Sequence, residues 1–158
     1  MVNKSIEIQY QVFYSLDEMD PADRELCEAA MQAQKTSYAP YSRFNVGAAL
    51  RLADGRIVPG SNQENAASPS GLCAERTAMF AAGAQYPGVA MVSIAIVGGP
   101  DQSQCNFPAT PCGSCRQVMA EYQKISKRPM SIILIGKKEI WKFPSLDAIL
   151  PFTFTSLD

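Results

Sequence analysis

Apolar and polar residues alternate from Ile6 through Ile8, Tyr10 and Val12, so residues 5–14 read as an extended, strand-like arm. Asp20-Pro21 has the form of an N-cap followed by proline at the first helical position. Leu26, Ala29, Ala30 and Ala33 then recur at helical spacing, which predicts a helix to about Lys35, broken by Tyr38-Ala39-Pro40-Tyr41. Val46–Leu52 reads as a strand, Asp54-Gly55 as a turn and Arg56–Gly60 as the returning strand of a hairpin. Leu72–Ala84 is helical in composition. Val92–Val97 and Ser131–Ile135 are short β-branched runs of the kind found in buried strands. Between them lie a loop over 99–111, rich in Gly, Pro, Asp, Gln and Ser, and a helix from about Gly113 to Lys124. A turn over 136–139, a strand Ile140–Phe143 and a short helix Leu146–Leu150 complete the pattern. Hairpin, helix, strand, helix, strand describes one α/β domain in which helices cover a mixed sheet.

The composition agrees with a packed core: 47% of the 158 residues are hydrophobic and 18% are charged, with no low-complexity run or internal repeat. The first residues lack the continuous apolar stretch of a secretion signal, and no segment is long enough to cross a bilayer. Five cysteines, an odd number, then read as thiols of a reducing, cytoplasmic compartment. The net charge of −1 leaves no excess of cations for a phosphate backbone, so the expected partner is a neutral small molecule, with neither nucleic acid nor membrane.

The chain contains no histidine. Ser-His-Asp and Cys-His catalysis are therefore excluded for the chain alone, as is any metal site with an imidazole ligand. Thiolates and carboxylates remain. Cys73 precedes Glu75 by two residues, and Cys112 and Cys115 stand three apart, within one helical turn. Both cysteine segments fall where a loop opens a helix, a position whose N–H groups and dipole favour thiolate over thiol. Three thiolates select zinc over the oxygen-preferring magnesium and calcium. A structural zinc is normally closed by four protein ligands, whereas a catalytic one keeps three and leaves a place for water. Cys27 reads as a small buried side chain within the first helix, and Cys105 is the competing fourth ligand. A Cys-x-x-Cys redox protein and a zinc-stabilised binding module are the rival classes. Neither accounts for Glu75, and three thiolates beside a base point to a hydrolytic zinc enzyme.

The run Gly71-Leu72-Cys73-Ala74-Glu75-Arg76-Thr77-Ala78, with Pro111-Cys112-Gly113-Ser114-Cys115-Arg116-Gln117, closely resembles the zinc-dependent cytidine deaminases, in particular the small homotetrameric form with three cysteine ligands. Tyr38-Ala39-Pro40-Tyr41-Ser42-Arg43-Phe44, Val46-Gly47-Ala48-Ala49-Leu50, Ser61-Asn62-Gln63-Glu64-Asn65-Ala66 and Leu150-Pro151 with Phe154 match as well, so the resemblance spans roughly 35–154. It implies a single three-layer α/β/α domain over 15–158 with a central mixed sheet of about five strands, preceded by the arm 1–14. It also implies one Zn²⁺ per chain on Cys73, Cys112 and Cys115, with Glu75 as the proton shuttle. By the same resemblance, Arg76 hydrogen-bonds the thiolates, and Asn62 and Glu64 hold the sugar 3′-hydroxyl. Phe44 packs on the base, the Ala74 N–H meets the pyrimidine O2, and Phe154 closes a neighbouring subunit's site. The implied reaction is hydrolytic deamination of free cytidine and 2′-deoxycytidine in pyrimidine salvage; a modified cytosine nucleoside is the alternative substrate. Two positions depart from the family pattern. Ser68 stands where a tyrosine is expected, and Thr155-Ser156 replace Gly-Pro after Phe154.

Overall fold

The computed structural model describes residues 1–157. Nine regular elements run in the order β1 (Gln11–Phe13), α1 (Pro21–Gln34), β2 (Phe44–Leu52), β3 (Ile57–Ser61), α2 (Ala74–Gln85), β4 (Met91–Pro100), α3 (Gly113–Ser126), β5 (Ser131–Ile135) and β6 (Ile140–Phe143). Single 3₁₀ turns occur at Leu16–Glu18, Ser68–Ser70 and Leu146–Ala148. The strands form one mixed sheet in the order β1-β6-β5-β4-β2-β3. β4 and β5 are parallel and are joined through α3, while every other pair is antiparallel.

Side chains that alternate across the central strands build two separate cores. Leu50 and Leu52, Ile94 and Ile96, and Ile132 and Leu134 face α2 and α3 with Ala78, Met79 and Met119. Ala49, Ala95, Val97, Ile133 and Ile135 face α1 through Leu26, Cys27 and Ala30. The result is three layers, α1 on one side of the sheet and α2 with α3 on the other. Burial on both faces explains why β4 and β5 read as unbroken apolar runs.

The sheet has six strands where about five were expected. The additional strand is β1, whose Gln11–Phe13 pairs with Ile140–Lys142 at the outer edge of β6. Only this part of the alternating arm finds a ladder. The Tyr10 ring then stacks on Phe143 at 5.0 Å between centroids, which holds the chain against the sheet edge.

Element limits moved where backbone chemistry overrode composition. Asp20 caps α1 as its sequence suggested, accepting from the Asp23 N–H at 3.0 Å. Helix α2 starts at Ala74 because Cys73 is its extended N-cap, with φ −71° and ψ 157°. β4 continues through Gly98 into Gly99 and Pro100, the start of the expected loop, by pairing with Phe44–Val46. A side chain at Gly98 would lie 3.0 Å from the Phe44 ring, so the missing Cβ is what seats that ring. The expected helix at Leu146–Leu150 is a single 3₁₀ turn.

Candidate active site

Helices α2 and α3 lie on the same sheet face, and both of their N-termini carry cysteine. Cys73 is the N-cap of α2, Cys112 is the N-cap of α3, and Cys115 sits in the first turn of α3. A backbone approach fixes the height of α2 over the sheet: a Cβ at Gly60 on β3 would lie 2.5 Å from both the Ala74 carbonyl oxygen and the Ala78 nitrogen.

The Cys73 and Cys112 sulfurs are 3.9 Å apart and those of Cys112 and Cys115 3.6 Å apart; all three lie within 4.8 Å of one another. Thiolates at about 2.3 Å from a tetrahedral zinc stand about 3.8 Å from each other, so the donor set and its spacing suit zinc. Cys115 is fully buried, Cys73 half-buried and Cys112 exposed, so the cluster opens towards solvent on one side. Neither Cys27 nor Cys105 belongs to it.

Charge around the sulfurs is also arranged. Arg76 donates through Nη2 to Cys73 Sγ at 3.3 Å, and its Nε is buried with no acceptor. That unused donor is what a set of anionic thiolates would satisfy. A hydrogen bond from Cys115, with Arg76 beside it, brings the Cys73 thiol down to about 5. The same bond together with burial pushes the Cys115 thiol up. Glu75 follows in the first turn of α2 and is only 4% exposed. Burial raises its carboxyl above the ordinary range, and the neighbouring Cys73 charge adds to the effect.

A cavity of about 590 Å³ adjoins this cluster, with Tyr41, Ser42, Asn62, Glu64, Ser68, Leu72, Cys73 and Arg76 in its wall. A hollow of similar volume, about 600 Å³, lies against α1 beside Met31, Lys35 and Gln102 and contains none of the sulfurs. Glu64 is held by its neighbours: its Oε2 accepts from the N–H groups of Tyr41 at 2.9 Å and Ser42 at 3.2 Å, and its Oε1 from the Ser42 hydroxyl. The Ser42 hydroxyl foremost, with the two amides, keeps this carboxyl below its usual range. Asn62 ties β2 in place, with Oδ1 accepting from Val46 N–H at 2.8 Å and Ser37 Oγ at 2.5 Å, and Nδ2 donating to the Phe44 carbonyl at 2.8 Å.

The structure thus places Cys73, Ala74, Glu75 and Arg76 at the start of α2, and Cys112 and Cys115 at the start of α3. Asn62 and Glu64 lie just beyond β3, and Phe44 at the first position of β2. Phe154 is set apart. Its side chain is exposed, its carbonyl accepts from Gln117 Nε2 at 2.7 Å, and, like Phe44, Ala74 and Glu75, it is not in the cavity wall.

Two participants had no signal of their own in the sequence. Ser42 lies within a matching run but carries no obvious chemistry. Arg116 donates to the Pro111 carbonyl at 2.9 Å and the Ile149 carbonyl at 2.6 Å, which links the Cys112 loop to the chain end.

Comparison with known proteins agrees with this arrangement. The family model for the cytidine and deoxycytidylate deaminase zinc-binding region matches residues 20–131. A cytidine deaminase of Sporosarcina psychrophila is 37% identical over 135 residues, 85% of this chain and 92% of its own length. One from Halalkalibacterium halodurans is 47% identical over 100 residues, 63% of this chain and 71% of its own. Among solved structures, the cytidine deaminase of Burkholderia pseudomallei superposes with a TM-score of 0.71 at 41% identity, covering 82% of this chain and 97% of that one. The Mycobacterium tuberculosis enzyme gives 0.68 at 34% identity, covering 87% of this chain and all of its own, 100%.

Proposed function

The chain belongs to the cytidine and deoxycytidylate deaminase family, and on that premise we propose that it deaminates free cytidine and 2′-deoxycytidine by hydrolysis, for pyrimidine salvage. The observation that carries this reading is the gathering of three sulfurs at two helix N-termini with a buried carboxyl one residue into α2. Cys73, Cys112 and Cys115 are the zinc ligands, and zinc bound there would acidify water beside Glu75 to near neutrality.

Glu75 takes a proton from that water and hands it to N3 of the cytosine ring as the oxygen adds at C4. The proton of the new hydroxyl passes through Glu75 to the exocyclic amine, which leaves as ammonia. Uridine remains, with its proton on N3. A carboxyl whose affinity for protons is raised by burial suits this alternation. Arg76 offsets the surplus negative charge of three thiolates around a dication.

The cavity wall supports a nucleoside as the substrate. Its one cation is Arg76, which lies beside the sulfurs and donates to Cys73, while the far part of the wall presents the Glu64 carboxylate and no cation to a phosphate. Glu64 and Asn62 take the 3′-hydroxyl, which disfavours a 3′-phosphate and so internal positions of a polynucleotide. The Ala74 N–H takes O2, and Phe44 lies against the base. The exposed rings of Phe152 and Phe154 suit coverage by a neighbouring subunit, with Phe154 closing that neighbour's site in a homotetramer. No helix among the described residues is long and apolar enough to cross a membrane, and a cytoplasmic location accords with five unpaired thiols.

Cytidine and deoxycytidine supplied to the zinc-loaded protein should be converted, as followed by the fall in pyrimidine ultraviolet absorbance. Glu75→Gln should retain zinc and fold while losing at least ~10²-fold in turnover, the lower end of what a positioned base contributes. Zinc-loaded protein that converts neither nucleoside would refute the proposal.

A further inference from the structure

One hydroxyl links the two groups assigned above to the sugar and the base. Ser42 Oγ donates to Glu64 Oε1 and accepts from the Phe44 N–H at 3.0 Å. The turn that allows this passes through Arg43, whose φ of 57° is left-handed. That turn is held by Arg43 N–H to the Ala39 carbonyl at 3.0 Å and by Asp101 N–H to the Arg43 carbonyl at 2.9 Å. An ionised carboxylate has about four acceptor positions. The turn fills three on Glu64, two from the Tyr41 and Ser42 amides and one from the Ser42 hydroxyl. One position is left to offer a ligand, and its direction is set by the other three. The Phe44 peptide is pinned on both sides, by Ser42 at its N–H and by Asn62 Nδ2 at its carbonyl.

We propose that Ser42 is a positioning residue for the substrate, acting through Glu64 on the sugar 3′-hydroxyl and through the Phe44 main chain on the base. This rests on the reading that Glu64 meets the sugar and Phe44 the base. The Ser42 hydroxyl is committed to Glu64 and the Phe44 N–H; through them it sets the distance between the two contacts, and hence selects a nucleoside that presents a free 3′-hydroxyl at that span from its ring.

The test compares 2′-deoxycytidine with 2′,3′-dideoxycytidine, which differ only in the 3′-hydroxyl. Ser42→Ala should raise KM for deoxycytidine roughly tenfold, the scale of one hydrogen bond to a charged group, with kcat within about threefold of wild type. On dideoxycytidine its loss in kcat/KM should be at least about threefold smaller, the remainder being the Phe44 share. Ser42→Thr keeps the hydroxyl and should restore wild-type behaviour. Ser42→Cys keeps the size with a weak donor and should behave like alanine; it replaces Ser42→Ala if that variant melts early. An equal penalty on both nucleosides, no penalty on either, or a threonine variant as impaired as alanine would overturn the proposal. Glu64→Gln separates the two layers. A loss confined to deoxycytidine upholds the sugar contact even when Ser42 fails its own test, whereas an equal loss on both substrates removes the sugar contact and the role of Ser42 with it.

Discussion

Gly60→Ala tests whether the height of α2 above β3 sets the geometry of the sulfur cluster. The new methyl would lie 2.5 Å from the Ala74 oxygen and the Ala78 nitrogen and 2.9 Å from Ala78 Cα, all backbone atoms that no rotamer change can move. Ordinary contact begins at 3.4 Å, so the start of α2 must lift by about 0.9 Å, carrying Cys73 and Glu75 with it. Overpacking of this kind costs roughly 1–3 kcal/mol. For a chain of this size, each kcal/mol lowers Tm by roughly 2–4 °C, so a fall of roughly 2–12 °C is expected. A displacement near 1 Å at reacting groups costs up to ~10² in rate. The variant should therefore lose turnover out of proportion to its stability, as measured by thermal melting and cytidine conversion on one zinc-loaded preparation. Gly113→Ala is the control for stability, since a Cβ there meets nothing within 4 Å, and its Tm should hold or rise slightly. A Gly60→Ala protein with unchanged Tm and unchanged rate would refute the reasoning.

Asp20→Ala should destabilise the fold by about 1 kcal/mol through loss of the α1 cap. Because the Asp23 amide above all holds the Asp20 carboxyl below its ordinary 3.8, the native form binds its proton less readily than the unfolded one. Its advantage is whole above that value and fades as pH falls through the lowered native one, so wild type and variant should converge in acid denaturant melts. A gap that stays constant with pH would assign the effect to something other than charge. Cys105→Ser should leave zinc content unchanged by elemental analysis, whereas Cys73→Ser should lower it; loss of zinc from the former would make Cys105 a ligand.

What could be read from the sequence, and what could not, follows from how local each cause is. Asp20-Pro21 marked the start of α1 because a cap and a fixed φ act within one turn. The β5 and β6 runs were legible because strands buried against neighbours must be apolar throughout or in alternation. Cys73, Cys112 and Cys115 could be named because zinc chemistry restricts the residue types, yet their meeting depends on two helices far apart in sequence. The arm 5–14 read as strand-like, but that Gln11–Phe13 would join the sheet as a sixth strand was not legible, because the pairing is only three residues long and depends on a β6 edge that composition cannot show to be open. Gly99-Pro100 read as loop by local chemistry but joined β4 through Gly98, because β2 offered a ladder there and the Phe44 ring needed the space of the Cβ absent at Gly98. Ser42 and Arg116 were silent for a further reason. Their partners are main-chain groups or residues more than twenty positions away, which a spacing argument does not reach.

The chain end offers the clearest separation between a strap and a lid. Its main chain is tied to α3 of the same molecule: Gln117 donates to the Phe154 carbonyl and Lys124 to the Thr155 carbonyl. Its rings are not packed there, since Phe152 is 82% exposed and Phe154 66%. Deletion of residues 151–158 spares the three cysteines and the Ile149 carbonyl that Arg116 holds, so zinc content should be unchanged. Two exposed hydrogen bonds contribute about 1 kcal/mol each at most, so a loss of a few degrees in Tm is expected from the strap alone. If a neighbour covers the rings, each contributes roughly 1.5–3 kcal/mol to assembly, and truncation should lower the sedimenting mass at micromolar concentration. Because Phe154 would then be missing from the adjoining site, KM should rise in the same preparation. A truncated protein with full mass and unaltered KM would leave the tail as a strap on its own helix, with no part in any site.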